Sequence, residues 1–270
     1  MRAEADNGSL LDRILESRRA EVQLRKRVLP ETALKYGVQA ASPLRDFPGA
    51  LTRPGINVLA ELKPASPSRG VLREPFDPVT LAQSLEATGA AALSVLTEPE
   101  FFRGSLKNLR DARNSAKLPV LRKDFIFDPW QVWEARANDA DSFLLIVSTL
   151  SDAQLKELLA LGRELGMEPL VEVHTRAELD RALAAEARII GVNNRNLKTL
   201  EIRPETSFEL IDHIPENCIA ISESGISTHG ELRKLCAAGF DAFLIGTCLM
   251  LSPDPATVLA ELLGARARGK

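Results

Sequence analysis

Five short apolar runs in this chain each end in a charged or amide residue. They are Ile56-Asn-Val-Leu-Ala-Glu61-Leu-Lys63, Pro119-Val-Leu-Arg-Lys123-Asp, Pro169-Leu-Val-Glu172, Ile189-Ile-Gly-Val-Asn193 and Cys218-Ile-Ala-Ile-Ser-Glu223-Ser-Gly. A carboxylate or ammonium at the end of a buried strand is costly to desolvate unless it is paired or used. One such residue could be accidental. A succession of them at the same end of successive strands describes the mouth of a parallel barrel, where catalytic groups gather.

The rest of the chain fits that reading. Strand candidates fall at Ile56–Leu62, Ala92–Leu96, Val120–Lys123, Ser142–Val147, Leu170–Val173, Ile189–Asn193, Cys218–Ser222 and Ala242–Gly246. Segments with apolar residues at helical spacing lie between them, such as Leu81-Ala-Gln-Ser-Leu85 and Leu155-Lys-Glu-Leu158-Leu159. Asp128 before Pro129, Ser151 before Asp-Ala-Gln and Thr228 before His-Gly-Glu are helix start signals. Short, continuously apolar strands suit a parallel sheet covered on both faces. Eight such units in 270 residues predict one α/β domain over 1–270, a (β/α)8 TIM barrel, since such a barrel takes about 250 residues. A doubly wound open sheet is the alternative.

Residues 1–50 exceed what a bare barrel needs. Leu10-Leu-Asp-Arg-Ile-Leu15 and Val22 to Leu24 form an amphipathic pattern studded with Arg18, Arg19, Arg25 and Arg27. This N-terminal helical extension either packs on the barrel's outside or covers one of its ends. The tail Ala265-Arg-Ala-Arg-Gly-Lys270 reads as a frayed, basic terminus.

Composition excludes several functions. A formal net charge of −3 gives no case for binding nucleic acid or an anionic membrane. No apolar stretch reaches the roughly 18–20 residues that span a bilayer, and the acidic N-terminus lacks a signal core. A cytoplasmic enzyme is expected. Cys218, Cys236 and Cys248 sit apart within apolar runs and read as core residues of a reducing compartment. None of His174, His213 and His229 has a Cys or His neighbour at ligand spacing, so no metal is expected.

Side chains two apart on a strand share a side. Glu61 and Lys63 therefore face one way, as do Asn193 and Arg195 unless Arg195 has already left its strand. The mouth would hold Glu61, Glu172 and Glu223 against Lys63, Lys123 and Arg195. Such coupling can tune a lysine into a general acid, and a glutamate into a general base, near neutral pH. The alternative is a structural ion-pair network. Ser222-Glu-Ser224-Gly225 after strand seven and Gly246-Thr247 after strand eight lie where phosphate-binding barrels grip phosphate. The loop Lys63-Pro-Ala-Ser66-Pro67-Ser68-Arg69-Gly70 is read as a lid carrying Ser66, with a plain polar turn as the alternative. Phe101, Phe102, Phe125 and Phe127 are candidates for an apolar wall. His174 shares the side of Glu172 and is given no role.

Together, Glu61-Leu-Lys63-Pro-Ala-Ser66-Pro67-Ser68, Leu121-Arg-Lys123-Asp124-Phe125, Leu170-Val-Glu172-Val, Gly191-Val-Asn193-Asn-Arg195, Ser222-Glu223-Ser224-Gly225-Ile and Phe243-Leu-Ile-Gly246-Thr resemble indole-3-glycerol phosphate synthase. The resemblance covers nearly the whole chain. It implies decarboxylating, dehydrating closure of 1-(2-carboxyphenylamino)-1-deoxyribulose 5-phosphate to indole-3-glycerol phosphate, in tryptophan biosynthesis, without cofactor or metal. By resemblance Lys123 is the general acid, Glu172 takes a proton in the dehydration, and Lys63 contacts substrate and shares the acid work. Glu61 and Glu223 position lysines and sugar hydroxyls, and Asn193 and Arg195 support the intermediate. Ser224, Gly225, Gly246 and Thr247 grip the phosphate; Ser66 and Phe125 are further substrate contacts. The extension is then expected over the active-site face. The chain's end after unit eight suggests a monofunctional enzyme. The expected partner is a phosphorylated small molecule, and the expected state a monomer, with a weak homodimer as the alternative. Rival functions are a sugar-phosphate isomerase or epimerase, and a non-catalytic phosphometabolite sensor.

Overall fold

The computed structural model describes residues 9–265. The first eight residues and all of the basic tail but Ala265 lie outside that range. Eight parallel strands close into a barrel in sequence order. They are β1 (Asn57–Leu62), β2 (Ala92–Leu96), β3 (Val120–Lys123), β4 (Ser142–Ile146), β5 (Leu170–Val173), β6 (Ile189–Asn193), β7 (Ile219–Glu223) and β8 (Ala242–Ile245). The first strand pairs with both β2 and β8, which completes the ring and excludes the open sheet. The eight predicted strands thus form with ends shifted by a residue at most.

Helices follow each strand on the outside: α4 (Pro78–Thr88), α5 (Leu106–Ser115), α6 (Pro129–Ala137), α7 (Asp152–Glu164), α8 (Arg176–Ala184), α9 (Glu205–Ile211), α10 (His229–Ala238), and α11 (Thr247–Leu251) with α12 (Pro255–Leu262). The predicted start signals at Asp128, Ser151 and Thr228 all form capping boxes, each satisfying two orphan backbone donors.

Strand alternation splits the core in two. Val58, Ala60, Leu93, Val95, Val171 and Val173 point outward and meet the helices. Leu59, Ala92, Leu121, Leu144, Leu170, Ile189, Ile221, Ala242 and Leu244 point inward and fill the barrel. Glu61, Lys123, Glu172 and Glu223 continue the inward series two residues on, and Asn193 four residues on past Gly191, so the apolar filling ends in a polar, mostly charged layer at the carboxyl ends.

The N-terminal extension takes three positions. The helix α1 (Leu10–Val28) sets Leu11, Ile14 and Leu15 against the interior cluster. A second helix, α2 (Glu31–Ala40), packs outside the barrel on α6. The short α3 (Phe47–Leu51) drives the fully buried Phe47 and Leu51 into the interior just before β1 begins, and so closes the amino end. Each such buried side chain stabilises by about 1.5–3 kcal/mol.

Candidate active site

A cleft of about 430 Å³ opens at the carboxyl ends of the strands. Every residue singled out from the sequence as catalytic or substrate-binding lines it: Glu61, Lys63, Ser66, Lys123, Phe125, Glu172, Asn193, Arg195, Glu223, Ser224, Gly225, Gly246 and Thr247. They arrive from six strands and the loops after them. Leu10, Leu11 and Ile14 of α1 line the same cleft.

Lys123 is the centre of charge. Its Nζ donates to Glu223 Oε2 at 2.7 Å and to Glu172 Oε2 at 3.1 Å. The lysine side chain keeps 13% of its exposure, through the cleft, whereas the two glutamates keep 2% or less. Burial alone would depress the lysine pKa, but Glu223, Glu172 and Glu61 outweigh it and raise it well above normal. Burial would raise Glu172, yet Lys123, then His174 and Asn193, hold it well below the ordinary carboxylate range. Glu223 goes the other way. Burial, with Glu172 and Glu61 nearby, outweighs its lysine and pushes it up to about 7. Of the three groups it is therefore Glu223 that is brought nearest to neutral pH, because one cation cannot hold two buried carboxylates equally.

Two glycines make room for these acids. A β-carbon on Gly191 would stand 2.2 Å from Glu223 Oε1, and one on Gly246 would stand 2.3 Å from Glu61 Oε2. Glu61 itself is ion-paired with Lys63, which keeps that pair at the edge of the Lys123 cluster.

Arg195 lies beyond β6 and is not its strand-mate. Asn193 Oδ1 accepts from its backbone N–H at 3.0 Å, and its guanidinium donates to Leu200 O at 3.0 Å. It thus braces its own loop, which folds back through a bridge between Arg195 and Ile202. Burial, then the nearby Arg69, lowers its pKa. Arg69, which the sequence reading named only as part of the loop after Lys63, also lines the cleft.

The loop read as a lid is built as a small hairpin. Ala65–Ser66 pairs antiparallel with Gly70–Val71, and Pro64 O accepts from Leu72 N at 2.8 Å. Backbone pairing, together with the N–H of Ala65 donating to Phe102 O at 3.2 Å, holds the Ser66 side against the barrel. Of the four aromatic candidates, Phe102 and Phe125 form the wall, with ring centroids 6.2 Å apart. Phe127 packs on the cluster around Trp130, and Phe101 is partly buried against the interior cluster without lining the cleft. The turn after β7 has successive left-handed residues, Ser224 at φ 66° and Gly225 at φ 81°. Glycine takes that conformation without steric cost. No described side chain caps the start of α11 at Gly246.

Sequence reasoning missed the buried charges behind Lys123. Asp124 accepts from Arg18 Nε at 2.9 Å and Nη2 at 2.7 Å, from Arg122 Nη2 at 3.0 Å and from Thr97 Oγ1 at 2.5 Å. Arg122 also pairs with Glu134 on α6 at 2.8 Å, and Arg25 of α1 pairs with that same glutamate. The Arg18–Asp124 link spans 106 residues, so no local pattern announces it. His174 was noticed only through its spacing from Glu172, and its contacts run to Glu172 and Glu178.

A family model described as indole-3-glycerol phosphate synthase matches residues 11–262. A relative of that name from Mycobacterium sp. (strain KMS) is 47% identical over 259 residues, covering 96% of this chain and 95% of its own. Another, from Albidiferax ferrireducens, is 45% identical and covers 94% of this chain and 97% of its own. Among solved structures, 3-hexulose-6-phosphate synthase from Salmonella typhimurium superposes with a TM-score of 0.63 at 11% identity, over 78% of this chain and 98% of that one. The N-acetylmannosamine-6-phosphate 2-epimerase from Clostridium perfringens gives 0.59 at 15% identity, over 77% and 93%. At such identities these two share the barrel fold alone. The family match and the close relatives both run almost end to end, and on that ground this chain belongs to the indole-3-glycerol phosphate synthase family.

Proposed function

We propose that this cleft performs the family's ring closure with Lys123 as the acid, Glu172 as the base, and Glu223 and Lys63 in support. The observation that carries the reading is the contact of one ammonium with two buried carboxylates beside an apolar wall. Closure requires a ring carbon to attack a ketone. The charged Lys123 meets the developing oxyanion and gives it a proton. Phe102 and Phe125 supply an apolar slot for the ring, which regains aromaticity as carbon dioxide leaves. Dehydration then needs one proton delivered to the departing hydroxyl and one removed from carbon.

The resting charges explain how a strongly acidic Glu172 becomes a base. Lys123 holds it down, and once Lys123 has given up its proton that restraint is gone. The carboxylate then takes the proton that dehydration releases. Glu223, pushed up to about 7, exchanges protons readily near neutrality and is suited to recharging Lys123. Lys63, steered by Glu61, donates to the leaving hydroxyl and to the phosphate. Asn193 and Arg195 hold the intermediate.

The phosphate lies over Ser224, Gly225, Gly246 and Thr247, where a left-handed turn and an uncapped helix start offer backbone N–H groups. Ser66 adds a hydroxyl from the hairpin. The first helix closes the aromatic end of the cleft. All of these groups come from one chain, which suits a monomer in the cytoplasm whose partner is a phosphorylated small molecule rather than a nucleic acid.

The test is turnover of the carboxyphenylamino substrate, followed by the absorbance of the indole product and by released carbon dioxide. Lys123→Met should lower kcat by at least about 10²-fold, as for loss of one preorganised donor to an oxyanion, with the fold intact by circular dichroism. Glu172→Gln should stall at dehydration and accumulate the decarboxylated intermediate. Near-normal turnover by either variant removes that residue from its role.

A further inference from the structure

Glu172 has two oxygens, and Lys123 occupies only one of them. Oε2 meets Lys123 at 3.1 Å, whereas Oε1 lies 3.3 Å from His174 Nε2. The other ring nitrogen, Nδ1, lies 3.1 Å from Glu178 Oε2, and the backbone N–H of His174 donates to that same oxygen at 2.8 Å. Imidazole is thus held between two carboxylates, one at the end of β5 and one in the first turn of α8. Its side chain is 11% exposed, and Nε2 is buried without a well-aligned hydrogen bond to any described group, so its contact with Glu172 Oε1 is that of an ion pair. Helix capping explains Glu178, whose own N–H donates to Thr175 Oγ1 at 3.2 Å. It does not explain the second contact, through the ring, to the charged layer of the cleft.

We infer that His174 is a positioning residue for the reaction, fixing the Oε1 side of Glu172 through an imidazolium anchored on Glu178. The ring sets the carboxylate's rotamer and leaves Oε2 directed at Lys123. Two carboxylates on one imidazole favour its charged form strongly enough to overcome burial, which by itself would lower the pKa; the net result is a value raised to about 10. A protonated ring cannot act as a second base, so its contribution is orientation and charge. Groups facing His174 are Glu172 on β5 and Glu178 on α8. Those facing Glu172 from other strands are Lys123 on β3, Asn193 on β6 and Glu223 on β7. With Lys123 uncharged in mid-reaction, His174 remains the cation next to Glu172, and it limits how basic that carboxylate becomes.

This inference rests on the reading of Glu172 as the base, and the experiment separates the two. His174→Ala, His174→Gln and Glu172→Gln are compared in the full chain, singly and combined, for kcat, KM and the pH dependence of kcat. His174→Ala should lower kcat by about tenfold or more, part of the 10²–10⁴-fold that an acid–base group contributes, while KM changes by less than about threefold. Its acid limb should move to higher pH, since removing a cation raises the carboxylate's pKa. His174→Gln keeps a donor without the charge. It should recover part of kcat and leave the limb displaced. Neither substitution should slow the enzyme further in the Glu172→Gln background. Should His174→Ala not fold, His174→Gln and Glu178→Gln carry the same comparison, with the limb displaced in the same direction. A folded variant with unchanged kcat and limb overturns the role of His174, as does an equal further loss in the Glu172→Gln background. Normal turnover by Glu172→Gln alone removes the base, and this inference with it.

Discussion

Gly191 stands in register with Glu172 on β5 and with Ile221 on β7, and a β-carbon there would lie 2.2 Å from Oε1 of Glu223. The absent side chain lets that carboxylate lean across β6 toward Lys123. Gly191→Ala should push Glu223 off the lysine, at an overpacking cost of about 1–3 kcal/mol. A misplacement of that kind should lower kcat by about 10²-fold. Urea unfolding and steady-state kinetics on one preparation read both effects; retained kcat with unchanged stability would show that the interior yields more easily than the geometry indicates. The residues proposed to do the chemistry were readable in the sequence because charges at strand ends are rare. Gly191 was not, since a glycine inside an apolar run announces neither what it accommodates nor from which strand.

At the scale of the element, α1 is fastened rather than hinged. Arg18 is 1% exposed and makes a two-pronged contact with Asp124, the residue next to Lys123. Removing one partner of a buried ion pair typically costs about 3–5 kcal/mol. Arg18→Met should fall near the low end of that range, because Arg122 and Thr97 still meet Asp124. Hydrogen exchange along α1 should quicken, and KM should rise as Leu10, Leu11 and Ile14 leave the cleft wall. Unchanged exchange in α1 would mean that its apolar face alone holds it down. The hairpin at Ser66 makes a similar point. In the sequence it reads as a lid or a polar turn, and only backbone pairing with Gly70–Val71 shows it as a hairpin.

For the whole molecule, the charged layer sets how stability depends on pH. His174 binds its proton more tightly folded than unfolded, near 10 against an ordinary 6.5. Its stabilisation is therefore complete below pH 6.5 and lost as pH rises toward 10. Glu223, raised from 4.5 to about 7, also favours the protonated form when folded, so stability falls as pH rises through that window too. Glu172 has the opposite sign: its stabilisation is present above the ordinary glutamate range and lost as pH falls through its depressed value. The urea midpoint should decline steadily from pH 6.5 to 10, and His174→Gln should flatten that decline. A midpoint level across this range, or an equal slope in the variant, contradicts the assignment. Sequence alone determined the eight units, their order, the parity that turns Glu61, Lys123, Glu172, Asn193 and Glu223 inward, and the capped helix starts. These follow from local periodicity and backbone hydrogen bonding, which neighbouring residues specify. Only the tertiary structure decided that Glu223 rather than Lys123 titrates near neutrality, that Arg18 pairs with Asp124, and that His174 sits between two acids. The first two depend on distances between groups far apart in the chain, the third on how the end of β5 and the first turn of α8 meet in space, and the electrostatic energy of buried charges depends on those distances and on exclusion of water.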